Sequence, residues 1–140
     1  MSKILYLTST KESIAELKSY IARESDMEIL PEFSSGAIMP KLMEKFADVL
    51  LISDSVFKEK TADFVRTLRQ GLPWYLQIPI IVIADSDTMT ETRTAELYTA
   101  GANYVRLLKT DARVFWSIVR GQIDYTDLLK SNNRMAMRHI

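Results

Sequence analysis

The chain has 140 residues, 47% hydrophobic and 26% charged, and its 18 basic and 18 acidic side chains cancel. That length and balance fit one globular domain with a real core, and the zero net charge argues against a chain built mainly for nucleic acid. There is no cysteine, the one histidine (His139) sits at the C-terminal extreme, and the apolar run Ile4 to Leu7 is too short for a signal peptide or a membrane span. Disulfides and thiolate metal sites are excluded, a His-based site is not expected, and a cytoplasmic protein without membrane contact is the default.

KILYL, Lys3 to Leu7, reads as a first strand. Ser9 and Glu12 then stand at capping-box spacing before a helix whose apolar face is Ile14, Leu17, Tyr20 and Ile21. MEILPEF, Met27 to Phe33, is a second strand, and Pro31 assigns it to a sheet edge because proline cannot donate to a ladder. After Ser34-Ser35-Gly36 a short helix with Pro40 near its start carries Ile38, Leu42, Met43 and Phe46 as its expected buried face.

ADVLLISDSV, Ala47 to Val56, is the stretch around which the rest is arranged. Its aliphatic run, Val49 to Ile52, closed by Ser53, Asp54 and Ser55, reads as a strand buried on both faces. Thr61 to Arg69 follows as a helix with Phe64, Val65 and Leu68 at helical spacing, ended by Gln70-Gly71-Leu72-Pro73. IPIIVIAD, Ile78 to Asp85, is a second fully buried strand. Thr88 and Glu91 form another capping-box spacing, and the helix they open carries Ala95, Leu97, Tyr98 and Ala100 and ends at Gly101, a natural C-terminal cap. YVRLL, Tyr104 to Leu108, is a fifth strand with Arg106 in its middle, which suggests the other edge. A last helix from about Ala112 carries Val114, Phe115, Ile118, Val119, Ile123 and Leu128, and the tail Ser131 to Ile140 breaks at Asn132-Asn133, as a helix end or a linker of a longer chain.

Strand and helix thus alternate five times. Right-handed crossovers and an edge position for the second strand give an α/β, flavodoxin-like doubly wound parallel sheet in the order 2-1-3-4-5 with five helices. In such sheets chemistry sits at the carboxyl ends of the strands, which is where Asp54 falls.

To about Leu128 the chain resembles the receiver domain of bacterial response regulators, so residues 1–128 are taken as one receiver-like domain and 129–140 as a helix end or linker tail. The matches are KILYL, DVLLISD, IPIIVIA with Pro79, and AGANYVRLLK from Ala100 to Lys109, in order and at the family's spacing. The resemblance implies a phosphoryl group accepted from a histidine kinase on an aspartate, with Mg²⁺ held by carboxylates and a hydroxyl and a lysine on the phosphoryl oxygens. The corresponding positions depart from that pattern. The acidic pair maps onto Thr8 and Ser9, and the strand-four hydroxyl onto Ala84. The lysine position falls on Leu108, one residue before Lys109, the following proline is Thr110, and the switch aromatic maps to Arg106 or Val105. The acceptor position is Ser53 when counted from Asp48 and Asp54 when counted from the end of the apolar run; a one-residue slip in a strand reverses the face.

These departures favour a degenerate receiver, or pseudo-receiver, without standard Mg²⁺-dependent phosphorylation, without a cofactor and not an enzyme, signalling through a protein partner, a sensor or output domain, or a second copy of itself. The resemblance places the expected partner face on helix four, strand five and helix five, at Tyr98, Tyr104, Arg106, Trp116 and Arg120, with partial burial of Trp116 and Tyr104 as the alternative. A phospho-accepting receiver using Asp54 and Mg²⁺, with Asp85 and Asp87 as compensating acids, is the alternative. A flavodoxin-like flavin mononucleotide carrier is a third reading, since Thr8-Ser9-Thr10 echoes a phosphate cradle; against it, Lys11 occupies the place of the needed glycine, and Trp74 and Tyr75 precede strand four instead of following it. Trp74 and Tyr75 are expected to pack over the base of the sheet, with an exposed recognition patch as the alternative.

Overall fold

The computed structural model describes residues 2–21, 26–44, 47–84, 89–106 and 112–138. Strands β1 (Ser2–Leu7), β2 (Met27–Glu32), β3 (Val49–Ser53), β4 (Ile80–Ile83) and β5 (Tyr104–Arg106) form one parallel sheet in the order β2-β1-β3-β4-β5. Helices α1 (Lys11–Ile21), α2 (Ile38–Met43), α3 (Thr61–Gly71), α4 (Glu91–Ala100) and α5 (Ala112–Arg138) alternate with them. The architecture and strand order are those the sequence predicts.

Successive side chains of a strand point to opposite faces, so each strand feeds two cores. Leu5, Leu7, Leu50, Ile52, Ile80 and Val82 pack toward Ile38 and Leu42 of α2, Val65 and Leu68 of α3 and Leu97 of α4. Ile4, Tyr6, Val49, Leu51, Ile81 and Ile83 pack toward Ile14 and Leu17 of α1 and Phe115, Val119 and Ile123 of α5. β3 and β4 are buried on both faces, as unbroken aliphatic runs require. β2, with Pro31 opposite Tyr6, is one edge. β5 is the other, and its Val105 N–H donates to the Tyr98 hydroxyl at 3.1 Å.

Several local expectations change. Thr10, not Ser9, caps α1: its hydroxyl oxygen accepts from the Ser13 N–H at 3.3 Å, and Glu12 lies in the first turn, where it complements the helix dipole. Thr90 caps α4 by accepting from the Arg93 N–H at 3.1 Å; Thr88 lies outside the described residues. Both helices are preceded by more than one hydroxyl residue, and the path of the chain selects which of them reaches the free amides. Met43 is exposed because α2 is short and its buried stripe is complete with Ile38 and Leu42. Val114 is exposed beside buried Phe115, and Leu128 because it lies past Ile123, where α5 has left the core. Phe46 and the side chains of Tyr20 and Ile21 lie outside the described residues. The chain stays helical through Asn132 and Asn133 to Arg138, so the expected break is absent. Two asparagines cost a helix well under 1 kcal/mol each, less than stopping a cooperative helix requires.

At the amino ends of β4 and β5, Arg69 of α3 gathers the surrounding chain. Its Nε donates to the Gly101 carbonyl at 2.9 Å, Nη1 to Gln77 Oε1 and the Ile78 carbonyl at 2.8 Å each, and Nη2 to Asn103 Oδ1 at 2.6 Å. Asn103 Oδ1 also accepts from the Ile80 N–H at 2.9 Å, and the Gln77 amide returns to the Leu72 carbonyl at 2.7 Å. Gly101 ends α4 in the left-handed region, φ 119°, with the Gly101 and Ala102 amides returning to the Tyr98 and Leu97 carbonyls, a Schellman closure. A Cβ on Gly101 would also stand 2.6 Å from Arg69 Cγ. Gly101→Ala should therefore cost about 2 kcal/mol or more, from backbone strain plus displacement of Arg69, read as a lower urea midpoint at unchanged slope.

Candidate functional site

The site is built at the carboxyl ends of β1, β3 and β4. β1 and β3 are locked at their other ends: the Asp48 N–H donates to the Lys3 carbonyl at 2.8 Å, and the Lys3 N–H donates to Asp48 Oδ2 at 2.7 Å. From there the ladder runs in register from Ile4 opposite Val49 to Leu7 opposite Ile52. Continued one residue, it sets Thr8 beside Ser53. By the alternation of the strands, Thr8 follows Tyr6 and Ser53 follows Leu51 on the α1/α5 side, whereas Asp54 follows Ile52 and Ala84 follows Val82 on the α2–α4 side.

Thr8, Ser53 and Ala84 are buried, and Asp54 is 3% exposed. The Ser53 and Ser55 hydroxyl oxygens are 2.7 Å apart, and those of Ser55 and Ser9 2.9 Å, so a chain of three hydroxyls joins the β3 end to the loop after β1. The Asp54 N–H donates to the Ile83 carbonyl at 3.0 Å, extending the β3–β4 ladder, and the Asp54 carbonyl accepts from the Lys58 N–H at 2.7 Å. Lys58 has φ 52°, rare for a residue with a side chain. Its carbonyl accepts from Thr61 Oγ1 at 2.7 Å and from Arg93 Nη2 at 2.9 Å, so α4 grips the loop that follows Asp54.

Of the positions singled out in the sequence, Thr8 and Ser9 stand beside the Ser53–Ser55 end of β3, whereas Asp54 and Ala84 fall on the α2–α4 side; Lys109, Asp85 and Asp87 lie outside the described residues. It missed Ser55 as the bridging hydroxyl and Arg93 as the clasp. Serine at every second position around the strand end (Ser53, Ser55) was the available signal for Ser55; nothing local marks Arg93.

The described residues do not fit a Mg²⁺ ion of the kind the resemblance implies. Such a site draws on carboxylate oxygens, and here the positions of the acidic pair carry the neutral hydroxyls of Thr8 and Ser9. Among the described residues no group of three or more acidic, histidine or cysteine side chains is disposed to hold a metal.

The expected partner face is divided. Trp116 is 4% exposed and packs in the α1/α5 core against Phe115, with ring centroids 5.3 Å apart, so it does not form a surface. Its Nε1 has no hydrogen-bond partner among the described residues. Arg120 points to the opposite edge of the sheet: Nη2 donates to both carboxylate oxygens of Asp26, just before β2, at 2.7 Å. A helix face spans about 100°, and Trp116 and Arg120 fall on the part turned toward the sheet and β2. Tyr104 is half-buried against the same core, and the Arg106 side chain lies outside the described residues. Tyr98 alone stands out, 44% exposed with its hydroxyl on β5. Trp74 and Tyr75, at 47% and 48%, form an exposed edge-to-face pair at the base, contrary to the expected packing there; they sit in a short 3-10 turn of which only Leu76 enters the core.

No protein-family model matches the chain and no curated protein matches its sequence. Solved structures match its fold. The BeF3-activated N-terminal receiver domain of Klebsiella pneumoniae RstA is 18% identical, covers 87% of this chain and 98% of its own, and superposes with a TM-score of 0.73. A CheY-like response regulator receiver protein of Methanospirillum hungatei is 12% identical over 91% of this chain and 97% of its own, TM-score 0.73. NtrX of Brucella abortus, solved in complex with ADP, is 11% identical over 96% of this chain, TM-score 0.77, the match spanning 29% of that longer protein.

Glu32 fixes the rim of the site at the end of β2. Its carbonyl accepts from the Thr8 N–H at 3.1 Å, Oε2 meets Lys41 Nζ at 2.6 Å, and Oε1 accepts from the Phe33 and Ser34 amides at 3.0 Å each. Lys41 and these amides hold the Glu32 carboxyl below its ordinary value of 4.5. A lowered native pKa gives stability that is complete above 4.5 and lost as pH falls through the native value. Glu32→Gln should therefore be less stable than the parent at pH 7, and their urea unfolding curves should converge as pH is lowered below 4.5.

No helix among the described residues is long and apolar enough to cross a membrane. From β1 through α5 the chain has the fold of CheY-like response-regulator receiver domains.

Proposed function

We propose that this chain is a degenerate receiver: a non-enzymatic module of two-component signalling that acts by binding a protein partner, without Mg²⁺-dependent phosphorylation of an aspartate. One observation carries the reading. The register that begins at the Lys3–Asp48 lock ends with Thr8 beside Ser53, and the Ser53–Ser55–Ser9 hydroxyl chain links Ser53 to the residue after Thr8. Hydroxyls thus stand where the resemblance implies carboxylates. On this reading Ser53 holds the acceptor position, in agreement with the count from Asp48, and Asp54 belongs to the other face of the strand.

Phosphoryl transfer has little covalent help from the protein and depends on positioning and charge neutralisation. Neutral hydroxyls neutralise nothing, and Ala84 offers no oxygen to a phosphoryl group. The Arg93–Lys58 clasp ties α4 to the β3–α3 loop through side chain and backbone alone, which supports a surface fixed by the chain's own contacts. The amide NMR spectrum should stay unchanged on adding beryllofluoride with Mg²⁺, the mimic of a phosphorylated aspartate. Shifts at Thr8, Asp54 and Ala84 spreading into β5 would establish the phospho-accepting reading instead.

The surface of this module is assigned to α4 and the β5 edge around Tyr98, with a second copy of the chain as the first partner to test. An exposed tyrosine held in place by its own hydroxyl bond is a low-entropy anchor of the kind enriched in binding hot spots. By sedimentation equilibrium, Tyr98→Glu should weaken self-association by about tenfold or more while Asp54→Asn leaves it unchanged. The reverse pattern would place control at the strand end.

A further inference from the structure

At the end of the sheet opposite Thr8 and Asp54, a cleft of about 310 Å³ opens between the segment leading into β4, the α4–β5 turn and the far part of α5. Arg69, Gln77, Asn103 and Thr126 line its polar part, and Ile78, Pro79 and Leu129 its apolar part. A guanidinium has five N–H donors. Four of Arg69's go to neutral oxygens, those of Gly101, Ile78, Gln77 and Asn103. The second hydrogen of Nη2 has no partner among the described residues, and no carboxylate there pairs with the charge. Burial lowers the group to about 10, which leaves it a cation at neutral pH. A charge drawn out of water without a counter-charge is costly, and an anion in the cleft removes that cost.

The geometry points to an oxoanion site in this cleft: a carboxylate or phosphate carried on a partly apolar ligand, held by the remaining Arg69 N–H and the Thr126 hydroxyl. Leu129, Ile78 and Pro79 receive the apolar portion. Charge-assisted bonds from arginine to such groups are among the stronger hydrogen bonds available. Thr126 and Leu129 belong to the part of α5 beyond Ile123, so the ligand touches the helix where it leaves the core. The site is independent of the fate of the strand-end pocket.

The test is an NMR titration that includes the arginine Nε region, with inorganic phosphate and with acetate, each against sodium chloride at matched ionic strength. Saturable shifts are expected at Arg69 Nε and at the Gly101, Asn103, Thr126 and Leu129 amides, and the anion that produces them identifies the class. Leu129→Glu, a change at an exposed helix position, places a carboxylate in the wall of the cleft and should abolish the shifts in a folded protein. Absence of saturable shifts with both anions, equal shifts with chloride, or shifts that persist in Leu129→Glu would overturn the assignment.

Discussion

The Arg69 guanidinium is the interaction on which the arrangement of α3, α4, β4 and β5 depends. Its four bonds reach the residues before β4 and the turn before β5, segments that the chain separates by a whole helix. The apolar layer between sheet and helices is non-directional and would tolerate sliding; the fork is planar and fixed, and it sets the distance between α3 and the α4–β5 turn. Gly101 completes the arrangement, since only a residue without Cβ both turns left-handed there and admits the Arg69 stem.

The opposite end of the sheet carries the hydroxyls of Thr8, Ser9, Ser53 and Ser55 beside the buried Asp54. The Lys3–Asp48 lock, the Thr8–Glu32 bond and the Asp54–Ile83 bond fix the strand ends relative to one another. Hydroxyls then occupy the positions at which the family resemblance implies charge. Ser53, Ser55 and Ser9 bond one another there at 2.7 and 2.9 Å, which satisfies the buried Ser53 hydroxyl.

The two buried strands, the edge assigned by Pro31 and the cap at Gly101 were legible because each follows from one local rule. The faces taken by Ser53 and Asp54 were not, because they are set by a register fixed at Asp48, at the other end of the strand. Trp116 read as a surface residue by type; its neighbours Phe115 and Val119 show that the inward stripe of α5 is wide enough to include it. Arg69 was invisible as a node, since its four acceptors, all main-chain or side-chain amide oxygens of the β4 and β5 approaches, carry no signature that points back to α3. Arg120 likewise finds Asp26 across a separation of 94 residues.

The two outer strands share a property with a consequence for assembly. The outward side of β2 contains Pro31, which has no N–H to offer, and β5 has its Val105 N–H engaged by Tyr98. An open sheet normally invites another strand at each margin. Here both margins are blunted, one by covalent chemistry and one by a side chain, so this sheet is poorly suited to lengthen by accepting a neighbour's backbone. Copies of the chain that meet must do so through side chains, and the route from a crowded solution to ordered cross-strand aggregates is obstructed on both flanks.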